Sequence, residues 1–158
     1  MNAKDLELLI YNPFHLSKIL HHFLSGVLSL DDKGVKSELI YLVIPFVLDE
    51  KVCYKLQNLN INSRLNVIIE NKSYEVFMSQ LNEIILYTKK KTKHSLILLA
   101  SATNMTFDDY IKIEEKISFK KEDDKILKDI YKASYNLGML IAKEDCIIIM
   151  KKLRINQL

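Results

Sequence analysis

Apolar residues at helical spacing mark the first element of the chain. They recur every three or four positions from Phe14 to Leu28, the pattern of a helix with one buried face. Asn12 precedes them and can cap a helix, and Pro13 occupies the first helical position, where its missing N–H costs nothing. The pattern predicts a helix over 13–29, ended by turn-forming residues at 31–34.

Three further apolar stretches follow between residues 36 and 100. Residues 36–56 are apolar almost all round in their centre, which predicts a central helix with a kink or break at Pro45. Ser63 is expected to cap a short helix that runs to Ile69. A longer helix is predicted over 74–100, with an interruption near 89–93.

The pattern changes to strict alternation near residue 110. Tyr110–Ile113 and Lys116–Phe119 read as two short strands joined by a tight turn, which predicts a β-hairpin over 110–119. Helices are predicted again over 122–143 and 146–153. The expected fold is mainly α, a helical domain with one small β-hairpin. The order helix, hairpin, helix in its C-terminal half resembles a winged-helix module with 110–119 as the wing.

Length and composition favour one compact domain over 1–158. The chain is 49% hydrophobic and has only three Gly and two Pro, which leaves little sequence for linkers. Cys53 and Cys146 lie far apart in apolar surroundings and are interpreted as buried thiols. Because no apolar run is long enough to span a membrane and no leader precedes the first helix, we expect a cytoplasmic protein.

The sequence carries no recognisable catalytic constellation. Phosphate-binding glycine loops, nucleophile elbows and paired metal-binding histidines are all absent from the sequence. His15 and His22 could share a helix face, but no cysteine or carboxylate lies beside them at helical spacing. An acidic residue two before a lysine occurs at 49–51 and 114–116, a weak nuclease-like signal without further ligands. We therefore expect no catalytic residue, no metal site and no cofactor.

Lysines are clustered although the net charge is only +3. One run lies at 89–94 and a second follows residue 119, where acidic residues dilute it. With only Arg64 and Arg154, the chain lacks the residue that most often reads guanine edges, so sequence-specific DNA recognition is not expected. Contact with phosphates, directly or within a complex, is left open. The residues considered for it are Lys89, Lys90, Lys91, Lys93, Lys120 and Lys121.

Several segments, read in order, resemble a known protein family. The resemblance is carried by Tyr11–Phe14 at the start of the first helix, Glu38–Pro45, Leu137–Lys143 and Ile147–Ile155. These segments are similar to the middle component of bacterial three-component ABC ATPase defence systems, a group that includes the accessory subunit of Lamassu-type systems. Arg154 departs from the family pattern, since a glycine often ends that helix.

The resemblance implies a non-enzymatic subunit of a hetero-oligomer. It would bridge an ABC-type ATPase dimer related to chromosome-maintenance (SMC) proteins and an effector, commonly a nuclease, in anti-phage or anti-plasmid defence. Apolar residues exceed what one small core requires, and Gly138 inside a helix indicates close approach of another element of this chain or of a partner. The residues expected at a partner interface are Tyr11, Asn12, Pro13, Phe14, Phe46 and Gly138. A stand-alone winged-helix DNA-binding regulator is the alternative.

Overall fold

The computed structural model of the protein describes residues 2–156 and residue 158, and it is mainly helical, which confirms the predicted fold class. A small three-stranded antiparallel sheet completes the fold. The helices are α1 Ala3–Ile10, α2 Pro13–Leu28, α3 Val43–Leu48, α4 Glu50–Gln57, α5 Asn66–Ile69, α6 Glu75–Ala102, α7 Lys125–Ala142 and α8 Cys146–Lys152. The strands are β1 Val35–Lys36, β2 Met105–Phe107 and β3 Tyr110–Ile113, and 3₁₀ turns occur at Ser37–Leu42, Lys72–Tyr74 and Phe119–Lys121.

The start of α2 follows its local sequence signals. The side chain of Asn12 accepts a hydrogen bond from the Phe14 N–H at 2.9 Å, and Pro13 is the first helical residue. Ten of the sixteen residues of α2 are buried, so the helix lies at the centre of the core. The predicted helix over 13–29 is confirmed.

The break in the second apolar stretch lies at Asp49 and not at Pro45. Pro45 is the third residue of α3, in the first turn, where a backbone N–H has no partner inside the helix. Asp49 instead separates α3 from α4 with an extended backbone, and its Oδ1 accepts from the Val52 N–H at 2.9 Å. The chain therefore breaks where Asp49 caps the next helix, because a proline in the first turn of α3 does not interrupt that helix.

Two expectations about the middle of the chain were wrong. Ser63 does not cap α5, which begins at Asn66 without a side-chain cap. The lysine run does not interrupt α6, which continues for 28 residues. Buried positions occur both before the run, at Ile85, and after it, at Leu96, so packing holds the helix together on both sides.

The hairpin lies at 105–113, one strand earlier than predicted. β3 is where alternation placed it, but β2 precedes it and pairs Phe107 with Ile111. The other edge of β3 is occupied by β1, so no edge remains for a strand at 116–119. Ile117 donates its N–H to Ser25 Oγ at 3.0 Å instead, and the predicted second strand is a loop followed by a 3₁₀ turn.

Helices α2 and α7 form the most extensive contact of the fold. A Cβ at Gly138 would overlap the Phe23 carbonyl of α2, and a Cβ at Gly26 would overlap the Tyr135 carbonyl of α7. Ser134 Oγ donates to the Ile19 carbonyl at 2.7 Å across the same contact. The close approach that Gly138 indicated is therefore made by this chain's own α2, and Gly138 is buried away from any partner.

Phe46 and Cys146 also differ from expectation. Phe46 is fully buried and its ring meets Phe77 edge-on, with centroids 5.0 Å apart. It is therefore a residue of this chain's own core, although it was expected at a partner interface as part of a surplus of apolar residues. Cys53 is a buried free thiol as predicted, whereas Cys146 at the start of α8 is only partly buried.

Candidate interaction surface

The short helix α1 presents apolar side chains to solvent, and the sequence analysis did not predict it. It carries its own capping box, in which Asn2 Oδ1 accepts from the Asp5 N–H at 2.9 Å and Asp5 accepts from the Asn2 N–H at 3.1 Å. None of its residues is buried. Its exposed apolar residues are Leu6 at 48%, Leu8 at 72%, Leu9 at 59% and Ile10 at 41%. An apolar cluster of this kind on a short helix is typical of an interaction site.

Four of the six residues expected at a partner interface, Tyr11 to Phe14, mark the junction between α1 and α2. Tyr11 ends α1 and is half-buried, while Asn12 and Pro13 are exposed and set the start of α2. Phe14 is 69% exposed and continues the apolar surface of α1. The junction therefore combines structural residues, Asn12 and Pro13, with one side chain, Phe14, that is free to meet another protein.

A cluster of polar and aromatic side chains holds α1 against α6. Lys91 Nζ lies 3.3 Å from Glu7 Oε1, 3.9 Å from the ring centroid of Tyr11 and 3.8 Å from that of Tyr87. The Tyr87 hydroxyl donates to the same Glu7 carboxylate. We call Glu7, Tyr11, Tyr87 and Lys91 the α1 clamp. It attaches α1 through charge and cation–π contacts together with the partly buried ring of Tyr11, which packs against the core.

The clamp shifts the pKa values of its members. Hydrogen bonds from Tyr87 and then Lys91 lower the pKa of Glu7, because both stabilise the carboxylate. Burial acts to lower the pKa of Lys91, but hydrogen bonds to Tyr87 and Glu7 outweigh it and the pKa is raised. Partial burial raises the pKa of Tyr11. Glu7 and Lys91 therefore both stay charged near neutral pH, and the ion pair between them is kept there.

Two open hollows flank the C-terminal end of α1. The larger one, of about 850 Å³, is lined by Ile10 together with residues of α3, α4, the turn before α6 and Ile130 of α7. The smaller one, of about 390 Å³, is lined by Tyr11 with residues of α3 and α6. Leu48 lines both, so the two hollows lie side by side along α3. The sequence analysis missed this surface because its residues come from six elements that are separated in sequence.

The lysines considered for phosphate contact do not form one surface. Lys91 belongs to the α1 clamp, and Lys89 lies on another side of α6, with its Nζ 5.7 Å from the centroid of the Tyr41 ring. Lys90 and Lys93 are exposed, and Lys120 and Lys121 are exposed in a 3₁₀ turn remote in sequence. The α-helix thus spreads a run that looks continuous in sequence around its circumference.

Two of the four histidines, His15 and His22, pack against one tyrosine ring. His22 is 5% exposed and stacks on Tyr131 with centroids 4.5 Å apart. Burial lowers its pKa to about 4, with smaller effects of His21 and Lys18, so the imidazole is neutral. His15 lies near the same ring, at 6.1 Å. Among residues 2–156 and 158, no group of three His, Cys, Asp or Glu side chains is arranged to hold a metal ion.

Comparisons with known proteins complete this description. In the part of the chain that the structure describes, no helix has the length and apolar character needed to cross a membrane. No curated protein and no solved structure matches the chain. A family model described as "ABC-three component (ABC-3C) system Middle Component 3" matches residues 2–157, nearly the whole chain, and confirms the resemblance to middle components. The chain therefore belongs to the Middle Component 3 family of ABC-three component systems, defence-type assemblies in which it works together with other components.

Proposed function

We propose that this protein is a non-catalytic bridging subunit that couples an SMC-related ABC-type ATPase dimer to an effector, commonly a nuclease, in anti-phage or anti-plasmid defence of the Lamassu kind. Family membership supports a role among several components. The coupling role, the identity of the partners and the cytoplasmic location are inferences beyond that membership. Catalysis would reside in the partners.

The observation that carries this proposal is the exposed apolar surface of α1. Its leucines and Ile10 project from a helix that buries none of its own residues, and Phe14 extends the surface onto α2. Exposed apolar area costs free energy in water, about 25 cal/mol per Å², and a partner that covers it recovers that cost. A helix presented in this way is better explained by docking than by folding.

His22 is the histidine whose pKa burial lowers most, and its position supports a non-catalytic role. Strongly perturbed groups in a cleft are the usual sign of an active site. Here the large shift belongs to His22, which is covered by Tyr131 inside the contact between α2 and α7. Its burial is a consequence of packing.

The proposed mechanism is control of the effector by attachment. The subunit holds the effector inactive on the resting ATPase and releases or repositions it when the ATPase engages foreign DNA. Such a switch requires two separate contacts on this chain, one for each partner. We assign the α1 surface to one of them.

Co-expression with the neighbouring components tests the proposal. We expect the ATPase and the effector to purify with this protein, and the effector to be lost from the ATPase when this protein is omitted. Leu8→Lys combined with Leu9→Lys should abolish capture of one partner, while Ile97→Lys, at a similarly exposed position of α6, should not. Assembly and control of the effector in the absence of this protein would overturn the proposal.

A stand-alone winged-helix DNA-binding regulator is the second candidate, and the small antiparallel sheet is the observation behind it. The analogy concerns the fold and not DNA binding, and the sheet takes its third strand, β1, from residues 35–36, outside the C-terminal half where the module was expected. Salt-dependent DNA binding by the isolated chain would support this function. Lys90→Gln with Lys93→Gln should then reduce the salt slope, whereas Lys33→Gln with Lys72→Gln should not.

A further inference from the structure

We propose that the two hollows along α3 form one groove that receives an amphipathic helix with basic flanking residues from a partner subunit. This inference rests on the proposed bridging function and names the chemistry of one partner contact. We call the joined hollows the α3 groove. Two observations support the proposal: the groove has an apolar floor, and acidic side chains that form no ion pair with any described residue lie at its edge.

The floor of the α3 groove is apolar and supported by the core. Val47 and Ile44 are almost completely buried below it, and Leu48 lies at the point where the two hollows meet. Tyr54, 70% exposed, stands at the rim of the larger hollow. Hollows of about 850 and 390 Å³ that open to solvent and meet side by side suit a row of apolar side chains. Successive turns of one helix provide such a row.

The charged residues of the groove have the opposite sign to the chain as a whole. Asp49, Glu50 and Glu83 line it with a single lysine, Lys51, which gives three negative charges against one positive, a net charge of −2. The whole chain carries +3. Among the described residues, none of these three carboxylates takes part in an ion pair.

Carboxylates that have no ion-pair partner, next to an apolar floor, favour an occupant with basic side chains. Cationic side chains at the edges of a docked helix would meet them, while an acidic helix would be repelled. Glu50 and Glu83 are exposed, so such pairs would act mainly on specificity and association rate and would weaken with salt. A second copy of this chain is a poorer occupant, because its own apolar helix α1 carries the carboxylates Asp5 and Glu7 against one lysine, Lys4.

The groove also includes the C-terminal end of α1. Ile10 lines the larger hollow and Tyr11 lines the smaller one, and Tyr11 is held by Lys91 of the α1 clamp. A helix bound in the α3 groove would therefore contact the exposed face of α1 as well. The two surfaces form one continuous docking site.

Peptide binding to the full chain tests the groove independently of the other subunits. The probes are two fluorescein-labelled helical peptides of about 18 residues, long enough to form a helix, with the same leucine stripe and either lysine or glutamate elsewhere. We expect the leucine/lysine peptide to bind with a salt-dependent Kd and the leucine/glutamate peptide to bind at least about ten-fold more weakly. Methyl NMR signals of Val47 and Leu48 should shift, while those of Ile97 and Ile147, which line neither hollow, should not.

Charge variants decide whether the acidic edge matters. Glu50→Gln with Glu83→Gln should weaken the leucine/lysine peptide about three- to ten-fold and flatten its salt dependence. Asp32→Asn with Asp108→Asn, which removes two exposed charges away from both hollows, should leave binding unchanged. Equal binding of both peptides, or shifts at Ile97 and Ile147 instead of Leu48, would overturn the inference.

Further results distinguish failure of the α3 groove assignment from failure of the proposed bridging function. Concentration-dependent dimerisation that Leu48→Lys abolishes would identify a second copy as the occupant and would refute a basic partner helix. If the peptides fail to bind while the ATPase and effector still purify with this protein, the α3 groove assignment is wrong but the bridging function stands. Loss of co-purification would reject the bridging function itself.

Discussion

Gly138 of α7 and Phe23 of α2 are in backbone contact, with no room between them for a side chain. A Cβ at Gly138 would overlap the Phe23 carbonyl and lie 2.8 Å from the Val27 nitrogen. Gly26 is in the same position on the opposite helix, facing Tyr135. The pair of glycines sets how closely the two central helices approach.

Gly138→Ala should destabilise the protein. Alanine in a helix interior is ordinarily about 1 kcal/mol better than glycine, but here its methyl group must displace backbone atoms of α2. We expect a net loss of about 1–3 kcal/mol in the free energy of unfolding, measured by urea denaturation. Lys125→Ala, at an exposed site in the first turn of α7, should change it by less than about 0.5 kcal/mol. A more stable Gly138→Ala protein would contradict the close helix contact.

Acid should weaken the fold through His22. Its pKa in the folded protein is about 4 against an ordinary value of 6.5, so the unfolded chain takes up the proton first as pH falls. Stability should be unaffected by this residue above about pH 6.5 and should fall between 6.5 and 4, by up to about 3 kcal/mol. Below pH 4 the difference is constant.

The His22→Phe variant isolates this effect. Phenylalanine can keep the stacking on Tyr131 but cannot be protonated, so the pH profile of its unfolding free energy should be flatter between 6.5 and 4. His15, whose pKa burial also lowers, remains in both proteins and cancels in the comparison. His94→Phe, at an exposed site, is the matched control and should leave the profile unchanged. Parallel profiles for wild type and His22→Phe would disprove the assignment.

Lys91→Met should release α1 without unfolding the protein. The substitution keeps the length of the side chain but removes the charge that contacts Glu7, Tyr11 and Tyr87. Hydrogen exchange of backbone amides at 3–10 should accelerate, while amides of α2 and α7 should keep their protection. Lys90→Met, one position away and outside the clamp, should leave the exchange of α1 unchanged. Unaltered exchange in Lys91→Met would mean that other contacts hold α1.

Two phenylalanines should give opposite results when replaced by alanine. Phe46→Ala removes a fully buried ring packed on Phe77 and should cost about 3–5 kcal/mol of stability. Phe14→Ala removes an exposed ring and should change stability by less than about 0.5 kcal/mol, yet weaken partner capture in co-purification. Thermal unfolding together with pull-down yields distinguishes the two. A stable Phe46→Ala protein that loses its partner would return Phe46 to an interface.

Local sequence signals determined those elements whose causes are local. Asn12 and Pro13 define the start of α2 because cap and proline act within one turn, and that prediction was confirmed. Alternation placed β3 correctly for the same reason. Helix α1 could also have been found from local signals, because Asn2 and Asp5 form a capping box and Leu6, Leu9 and Ile10 recur at helical spacing.

What only the tertiary structure decided depends on neighbours that are remote in sequence. The partner strand of β3 is β2 because β1 already occupies its other edge, and no local pattern contains that competition. Phe46 and Phe14 are the same residue type and each follows a proline, yet the fold covers one and exposes the other. The α1 clamp and the α3 groove likewise join side chains from separate elements. Sequence periodicity fixes which residues share a face of one helix, whereas packing between helices decides whether that face is covered.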